Sequence, residues 1–435
     1  MERKTSERIV SLQDGRYVNG SLRISNELGA VRVPADPELK MNSFGVLDRL
    51  TILRFAHMSR QATSGGVEAY LWNLNRVLLE RNQVRILQMY LAPDGVPAAV
   101  ETEQLGRGEI VWIPSILTGV SAEQMSYAQR LKTRLCLGGE TRLSVNHDAL
   151  LSILVDFEPE FALFHWLSED SQAVIDHLVS KNIPFAVINH FDNRRLTCRM
   201  ARRQIREATA IGGVSSIDIP NFLKDAFVDL SDGMDTEFFH PRKAVPLAVM
   251  PQGDLILLPS RMCEQKGHLD AVKALSILAR RGRRAILALA GREGSTDFGK
   301  RLRRVISKEG VQDRVMFLGE LCPMGLRNWY GASNVVVLPS HSEGLPRVLL
   351  EAQAMEKPVL AYDVGGVRAA CHDGASGFLV RKGDIEGLAR RLEELLENPA
   401  KRSEMGQRGR EFVVCRFSLD ALAIRHERFY AGIRS

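Results

Sequence analysis

The residues best placed to do chemistry are two glutamates, Glu343 and Glu351, with seven residues between them. An apolar run at 335–338 predicts a strand before them, and Pro346 marks a helix start, because a first helical residue needs no backbone N–H. The free N–H groups of that helix start would form an anion site. A carboxylate beside it would accept hydrogen bonds from hydroxyls that flank the anion. The pattern indicates a ligand such as a nucleotide-sugar; the alternative is that both glutamates face solvent.

Two cations follow another predicted strand, at residues 255–258. Arg261 and Lys266 stand five positions apart at a strand-to-helix turn, and Gly267 follows. Both could reach one diphosphate, and a diphosphate that leaves a sugar gains negative charge, which positioned cations stabilise in the transition state. A solvated basic turn is the alternative. Because the two glutamates are predicted at the same sheet edge, the diphosphate interpretation is favoured.

The N-terminal half carries weaker signals. Gly65 and Gly66 follow a first strand, and paired glycines let a backbone approach a ligand. The spacing G-x-G-x-x-G is absent there, which argues against an NAD enzyme. His165 and His190 each follow an apolar strand, so each is expected at the rim of a sheet, where an imidazole could hold a sugar hydroxyl. A structural histidine is the alternative, and it suits His165 better than His190.

Composition limits the class of protein. The 435 residues suffice for two domains, and 45% hydrophobic with 25% charged residues is ordinary for a globular protein. The net charge of +6 suits an anionic substrate or an anionic membrane surface. Aromatic residues make up 6% without basic–aromatic interleaving, so nucleic acid is not an expected partner. An arginine-rich helix could face an anionic acceptor or lipid headgroups, or simply solvent; its arginines are Arg194, Arg195, Arg199, Arg202, Arg203 and Arg206.

Cysteine usage and hydropathy indicate a cytoplasmic location. The six cysteines are scattered singly, which fits free thiols in a reducing compartment and predicts no zinc site. No apolar run follows the charged N-terminus, so no signal peptide is expected. No apolar stretch approaches the roughly 20 residues of a membrane-spanning helix. Peripheral contact with the inner membrane face remains compatible with the basic charge.

From Leu50 onward, strand-like and helix-like patterns alternate, which predicts an α/β protein with parallel sheets. Prolines cluster after a turn-like stretch at 231–236, as expected of an interdomain linker. The resulting division is an N-terminal extension at 1–48, a Rossmann-like domain at 49–243, a second Rossmann-like domain at 244–416 and a final helical segment at 417–435. The extension includes a predicted hairpin at 8–24. In such doubly wound sheets, ligands bind beyond the carboxyl ends of the strands.

Together, these motifs resemble the family 4 retaining glycosyltransferases of the GT-B fold, from about Leu50 to the end. The motifs that carry the resemblance are Ser64-Gly65-Gly66-Val67-Glu68, Asp232-Gly233-Met234-Asp235-Thr236, Arg261 with Lys266-Gly267, Glu343 with Glu351, and Gly365-Gly366 with Asp373-Gly374 and Gly377. The chain departs from the family pattern at Asp232, usually Asn, and at Arg368-Ala369, usually Pro-Glu. The segment 1–48 lies outside the resemblance.

The resemblance implies a retaining hexosyltransferase whose nucleotide-diphosphate-sugar donor is bound mainly by the domain at 244–416. It implies that this domain is the donor domain and that the domain at 49–243 is the acceptor side. Arg261 and Lys266 would hold the diphosphate, Glu351 would accept from the ribose hydroxyls, and Glu343 would lie near the sugar. The implied catalytic set is Glu343, His190, Arg261 and Lys266, and the implied donor-binding set is Gly65, Gly66, Arg261, Lys266, Gly344, Leu345, Glu351 and Gly366. It also implies that the last helix packs back on the N-terminal domain.

The expected reaction moves a sugar to an acceptor hydroxyl with retention of anomeric configuration, without a cofactor or metal. The basic charge favours a carbohydrate or lipid-linked acceptor in cell-surface polysaccharide or glycolipid biosynthesis. Two other activities suit the same fold, a nucleotide-sugar epimerase and a phosphorylase. A non-catalytic nucleotide-sugar-binding protein is the alternative from another class.

Overall fold

The computed structural model describes residues 47–58, 66–91, 100–115, 157–165, 169–190, 196–214 and 219–434. Within them, two parallel α/β units follow each other along the chain. Several predictions fall outside the described residues: the extension and its hairpin through residue 46, Gly65, and the arginines at 194 and 195.

The first unit is built on a sheet with the strand order β3-β4-β2-β1-β5-β6-β7-β8. Its strands are β1 (Thr51–Met58), β2 (Arg85–Leu91), β3 (Glu101–Leu105), β4 (Gly108–Ser115), β5 (Phe161–Phe164), β6 (Phe185–Asn189), β7 (Ala210–Gly213) and β8 (Phe227–Asp229). Its described helices are α1 (Gly66–Arg81), α2 (Glu169–Ser180) and α3 (Arg199–Glu207). Neighbouring strands run parallel except for the antiparallel pair β3–β4.

The second unit has an all-parallel sheet with the order β11-β10-β9-β12-β13-β14. Its strands are β9 (Asp254–Pro259), β10 (Ala285–Ala290), β11 (Val315–Gly319), β12 (Val335–Leu338), β13 (Val359–Tyr362) and β14 (Gly377–Val380). The helices are α4 (His268–Arg280), α5 (Thr296–Glu309), α6 (Pro323–Ala332), α7 (Arg347–Ala354), α8 (Val367–Ala370), α9 (Ile385–Glu397), α10 (Pro399–Phe417) and α11 (Leu419–Arg434).

Each sheet is buried on both faces, which explains the continuous apolar runs of the central strands. In β9, Ile256 and Leu258 belong to one core cluster, whereas Leu255 and Leu257 belong to the cluster on the opposite face. Because successive side chains of a strand alternate between faces, an uninterrupted apolar strand covers both layers of helices.

The last helix, α11, packs back on the first unit, as the sequence predicted. Leu422, Phe429 and Tyr430 share a buried cluster with Ile52 and other residues of the first sheet. A buried ion pair fixes α11 against α1, with Arg81 Nε 3.0 Å from Glu427 Oε1. The predicted architecture of two Rossmann-like units with a returning C-terminal helix is therefore confirmed, while the domain limits themselves stay a prediction.

Element ends differ from the predictions in two places. The helix predicted at Pro346 begins at Arg347, because Pro346 has an extended backbone and caps the helix. The helix predicted from Leu196 begins only at Arg199, since the Cys198 sulfur accepts a hydrogen bond from the Ala201 N–H and ends the preceding segment. Three strands were not predicted, β3, β8 and β14: the first is polar, and the other two are short.

Candidate active site

The candidate site lies in the second sheet, at the point where the order of the strands reverses. Strands β9 and β12 are neighbours, but the chain continues from β9 to one side and from β12 to the other. Such a switch point leaves a crevice beyond the carboxyl ends of the strands. Lys266 comes from the loop after β9, and Glu343 comes from the loop after β12. Their side chains meet there, with Lys266 Nζ 2.6 Å from Glu343 Oε1.

A glycine brings these two loops together. Gly267 has a φ of +69°, and a Cβ at this position would lie 1.8 Å from the carbonyl oxygen of Pro339. No other residue type fits such a conformation and such an approach. Two hydrogen bonds complete the junction, from His341 N to the Gln265 carbonyl (2.7 Å) and from Gln265 Nε2 to the Ser342 carbonyl (3.1 Å). The Lys-Gly pair thus serves to place Lys266.

The loop after β13 packs on the same structure. Gly366 donates its N–H to the Glu343 carbonyl at 3.1 Å, and a Cβ at Gly366 would lie 1.8 Å from the Gly344 carbonyl oxygen. The glycine at 366 therefore has a packing role here, since it lets this loop support the backbone that carries Glu343. Gly344 is exposed, and the half-buried Leu345 packs against the core.

Glu351 lies in the second turn of α7. Its Oε2 accepts a hydrogen bond from the Tyr330 hydroxyl at 3.0 Å. Burial raises the pKa of the Glu351 carboxyl, and the nearby positive charge of Arg347 opposes that rise. Arg347, the first residue of α7, forms an ion pair with Asp232 of the linker. The sequence motifs gave no signal for Tyr330 or Arg347, because their partners lie far away along the chain.

Arg261 is placed differently from Lys266. Its side chain is exposed and forms no ion pair with any residue that the structure describes. The backbone of Arg261 packs closely against Gly291, in the loop after β10. A Cβ at Gly291 would lie 2.1 Å from the Ser260 carbonyl oxygen and 3.0 Å from the Arg261 nitrogen, so this close packing requires a glycine. Among the four residues predicted from these two loops and α7, the structure brings Lys266 and Glu343 into direct contact and leaves the Arg261 side chain exposed.

The first unit has a switch point of its own between β1 and β5. His165 follows β5 and His190 follows β6, and the two rings stack with His165 Nδ1 2.7 Å from His190 Nε2. His165 is fully buried, whereas His190 is partly exposed. Burial, followed by the charge of Arg54, lowers the pKa of His190 to about 3. Gly66 is the first residue of α1.

Arg54 was missed by the sequence reasoning. It lies within β1, is 0% exposed and donates a hydrogen bond to Asn75. In the part of the chain that the structure describes, its Nε and Nη2 atoms have no hydrogen-bond partner. The signal was present, since a charged residue inside an apolar strand needs an explanation.

The described residues lack both a metal-binding cluster and a membrane-spanning helix. No cluster of three or more His, Cys, Asp or Glu residues could hold a metal ion in that part of the chain. Nor does any helix within it have the length and apolar character needed to cross a membrane.

The sequence around the Lys266–Glu343 pair carries a family signature across most of the second unit. Residues 246–412 match the family Glycosyl transferases group 1. This stretch, called the group 1 domain below, contains Arg261, Lys266, Glu343 and Glu351.

Similarity to a curated protein covers the same part of the chain. The D-inositol 3-phosphate glycosyltransferase of Frankia alni is 34% identical over 199 residues, which make up 43% of this chain and 49% of that protein. The chain thus spans about half the length of the curated relatives it matches.

Solved structures extend the likeness to both units. A glycosyltransferase of Rickettsia africae superposes with a TM-score of 0.66 at 18% identity, covering 88% of this chain and 98% of that one. HepE of Anabaena, solved in complex with UDP, gives a TM-score of 0.61 at 16% identity and covers 88% of this chain and 99% of its own. The likeness confirms the predicted GT-B fold.

Proposed function

We propose that this protein is a glycosyltransferase of family 4, which moves a sugar from a nucleotide-diphosphate-sugar to an acceptor hydroxyl with retention of anomeric configuration. The observation that carries the proposal is the Lys266–Glu343 pair at the switch point of the group 1 domain. Lys266 lies in a crevice beyond the ends of parallel strands, where its ammonium group can bind a phosphate. The neighbouring Glu343 carboxylate can accept hydrogen bonds from sugar hydroxyls.

In this proposal, Lys266 and Arg261 hold the donor diphosphate. Lys266 is already oriented by Glu343, whereas the exposed Arg261 closes on the phosphates when the donor binds. Glu351 accepts from the ribose hydroxyls and is oriented by the Tyr330 hydroxyl. Glu343 lies nearest the transferred sugar, beside the backbone of Gly344, Leu345 and Gly366.

The anomeric configuration is retained if the bond between sugar and phosphate loosens before the acceptor oxygen bonds to the anomeric carbon. The anomeric carbon then becomes oxocarbenium-like, and the acceptor hydroxyl enters from the face that the phosphate leaves. The departing phosphate oxygen takes the proton of that hydroxyl, so no protein base is required. Lys266 and Arg261 stabilise the charge that develops on the diphosphate, which is why we propose no metal and no cofactor.

The acceptor side belongs to the first unit. Gly65, Gly66 and His190 would face the donor from there. Exposed arginines of α3 make an anionic acceptor suitable, either a carbohydrate or a lipid-linked sugar at the cytoplasmic membrane surface; they are Arg199, Arg202, Arg203 and Arg206. One curated relative is named for inositol 3-phosphate, an anionic molecule, and HepE has also been solved with UDP-glucose. A role in cell-surface polysaccharide or glycolipid biosynthesis would use such an acceptor.

Turnover of UDP-, GDP- and ADP-sugars with a panel of sugar acceptors tests the proposal. We expect nucleoside diphosphate release that depends on the acceptor, with a product of unchanged anomeric configuration by NMR. Epimerised donor would indicate the epimerase, and sugar 1-phosphate formed from free phosphate would indicate the phosphorylase. Nucleotide-sugar binding without any turnover would indicate the non-catalytic binding protein.

A further inference from the structure

A buried polar cluster lies under the switch point of the first sheet, and only part of it belongs to the proposed site. It contains Arg54 of β1, Tyr70 of α1, the pair His165 and His190, and His426 of α11. The Tyr70 hydroxyl lies 2.6 Å from His426 Nε2, and the edge of the Tyr70 ring faces His190 at 4.8 Å. An arginine inside a domain normally has a carboxylate partner. This one donates to the neutral Asn75 and lies beside the Tyr430 hydroxyl, and within the described residues its Nε and Nη2 atoms have no hydrogen-bond partner.

The contact between the two histidines limits where their protons are. A neutral imidazole has one nitrogen that donates and one that accepts. The 2.7 Å contact between His165 Nδ1 and His190 Nε2 therefore needs a proton on one of these atoms and a lone pair on the other. The second nitrogen of His165, Nε2, is buried and has no hydrogen-bond partner among the described residues. By contrast, His190 is partly exposed, and its Nδ1 has no partner among the residues that the structure describes.

The buried Nε2 of His165 decides between the two arrangements, because a buried N–H without an acceptor is rarer and costlier than a buried lone pair without a donor. The positive charge of Arg54 in this buried, low-dielectric cluster adds to that preference. It attracts the lone pair of an imidazole nitrogen and repels the partial positive charge of an N–H. The proton of His165 is therefore on Nδ1, where it has a partner, and Nε2 keeps its lone pair. The charge of Arg54 acts on both histidines, and no carboxylate opposes it at either ring within the described residues.

We propose that His165 is a positioning residue: it donates its Nδ1–H to Nε2 of His190 and thereby fixes His190 with its proton on Nδ1, where it serves as a neutral hydrogen-bond donor to a substrate oxygen. The identity of that oxygen, on the donor sugar or the acceptor, rests on the proposed function. The orientation and the tautomer of His190 do not.

The surrounding groups keep this donor neutral. The groups that face the pair are Arg54 from β1, Tyr70 from α1 and His426 from α11. Behind them, Arg425 and Tyr430 of α11 and the Asp232 carboxylate of the linker act on Tyr70. Burial lowers the pKa values of His165 and His426, and the pKa of His190 lies at about 3. A neutral His190 with its proton on Nδ1 can donate a hydrogen bond without adding a second positive charge beside Arg54.

The tautomer is measured directly by 15N NMR of the wild-type protein with labelled histidine. We expect His190 to show a protonated Nδ1 and a bare Nε2, unchanged from pH 8 to pH 5. A protonated Nε2, or conversion to imidazolium above pH 5, would overturn the proposal. Because this measurement needs no substrate, it stands even if sugar transfer is not found.

Two substitutions at the same position then test the positioning role. In His165→Asn the amide nitrogen takes the place of Nδ1–H, whereas His165→Leu removes the donor. We expect turnover to be about tenfold higher in H165N than in H165L, the value of one hydrogen bond. In H165L the His190 spectrum should show a mixture of both tautomers. Equal turnover and equal His190 spectra in both variants would contradict the role of His165.

Discussion

At the scale of single residues, the proposed chemistry depends most on a cation that is held before any ligand arrives. Glu343 is 8% exposed and Lys266 24% exposed in their pair. A donor phosphate therefore meets an ammonium whose position is already fixed, and little free energy is spent on ordering it. Because Glu343 already neutralises part of the Lys266 charge, the phosphate shares this cation with the carboxylate.

Lys266→Ala should lower kcat/KM for the donor by on the order of 100-fold to 1,000-fold, because a positioned charge at the leaving group is lost. The matched control is Lys300→Ala, which removes an exposed lysine of α5 and should leave kcat/KM unchanged. Donor kinetics at a saturating acceptor concentration provide the measurement. Full activity of the Lys266 variant would exclude the proposed phosphate role.

Several residues of the candidate site were found from the sequence, because motif, strand and turn lie within a few positions of one another. Lys266 and Glu343 each follow a strand directly, so their common sheet edge was predictable. Arg54 and Tyr330 were not found, since what makes them notable is contact with groups distant in sequence. Tyr330 reaches Glu351 across 21 positions, and no local pattern reports that.

At the scale of elements, α11 is held to the first unit by charge as well as by apolar packing. The Arg81 and Glu427 side chains are 9% and 4% exposed, and Asn82 Nδ2 also donates to Glu427 Oε1 at 3.0 Å. Removing one partner of such a pair leaves an uncompensated buried charge.

Glu427→Ala should destabilise the first unit by about 3–5 kcal/mol, because the buried Arg81 then loses its buried carboxylate partner and keeps the longer contact of 3.5 Å to the exposed Asp420. Glu411→Ala, at an exposed position of α10, is the control and should stay within about 0.5 kcal/mol of the wild type. Urea unfolding followed by tryptophan fluorescence reports on this unit, since Trp72 and Trp112 lie in its described part; Trp329 lies in the second unit. Equal stability of the two variants would show that α11 is not fixed by this pair.

The linker and α7 are coupled by the Asp232–Arg347 pair, and Arg347 also acts on Glu351. Burial raises the pKa of Glu351, so the carboxylate that should accept ribose hydroxyls becomes protonated at a higher pH than an exposed glutamate. Arg347 opposes this shift. UDP affinity should therefore fall on acidification, and in Arg347→Met it should fall at a higher pH.

Isothermal titration calorimetry with UDP between pH 8 and pH 5 gives the midpoint, which is the pH at which half of the fall in UDP affinity has occurred. Arg242→Met is a suitable control, since Arg242 is an exposed arginine outside the site. A midpoint that is unchanged or lower in the Arg347 variant would contradict the coupling between Arg347 and Glu351.

Most elements were predicted within a few residues, because the buried parallel strands read as apolar runs between turn signals. β3 escaped because its sequence, Glu101–Leu105, is largely polar and exposed, and antiparallel pairing with β4 is what makes it a strand. The helix start at Arg199 escaped because Cys198, an uncommon capping residue, ends the preceding segment.

At the scale of the whole molecule, the switch points of the two sheets differ in their polar groups, since one holds an ion pair and the other holds neutral histidines beside a charged arginine. The second sheet holds a paired cation and carboxylate, Lys266 with Glu343. The first holds neutral histidines around the unpaired charge of Arg54. The first unit should therefore be the more sensitive of the two to acid.

The acid sensitivity of the first unit follows from three histidines, His165, His190 and His426. Burial lowers their pKa values, to about 3 for His190 and His426, whereas an unfolded histidine has a pKa of about 6.5. In the second unit His268 of α4 acts in the same direction, since burial lowers its pKa to about 4. Below pH 6.5 the unfolded chain binds protons that the folded protein does not. Stability is thus complete above pH 6.5 and is lost toward pH 3, by up to about 1.4 kcal/mol per pH unit for each histidine.

Urea unfolding at pH 7.5, 6.0 and 5.0 measures this slope. His426→Gln keeps a polar partner for the Tyr70 hydroxyl and should reduce proton uptake on unfolding by about one. A slope that is the same in this variant as in the wild type would show that His426 is not among the groups responsible.

The return of α11 to the first unit also has a consequence for the order of folding during synthesis. The ribosome completes the first sheet and then the whole group 1 domain before it makes α11. Until then α1 lacks its covering helix, and Arg81 lacks its carboxylate. The group 1 domain has all of its own strands in one continuous stretch of chain. We therefore expect the unit that is made second to fold first, and the nascent N-terminal half to depend on protection from aggregation until the last helix leaves the ribosome.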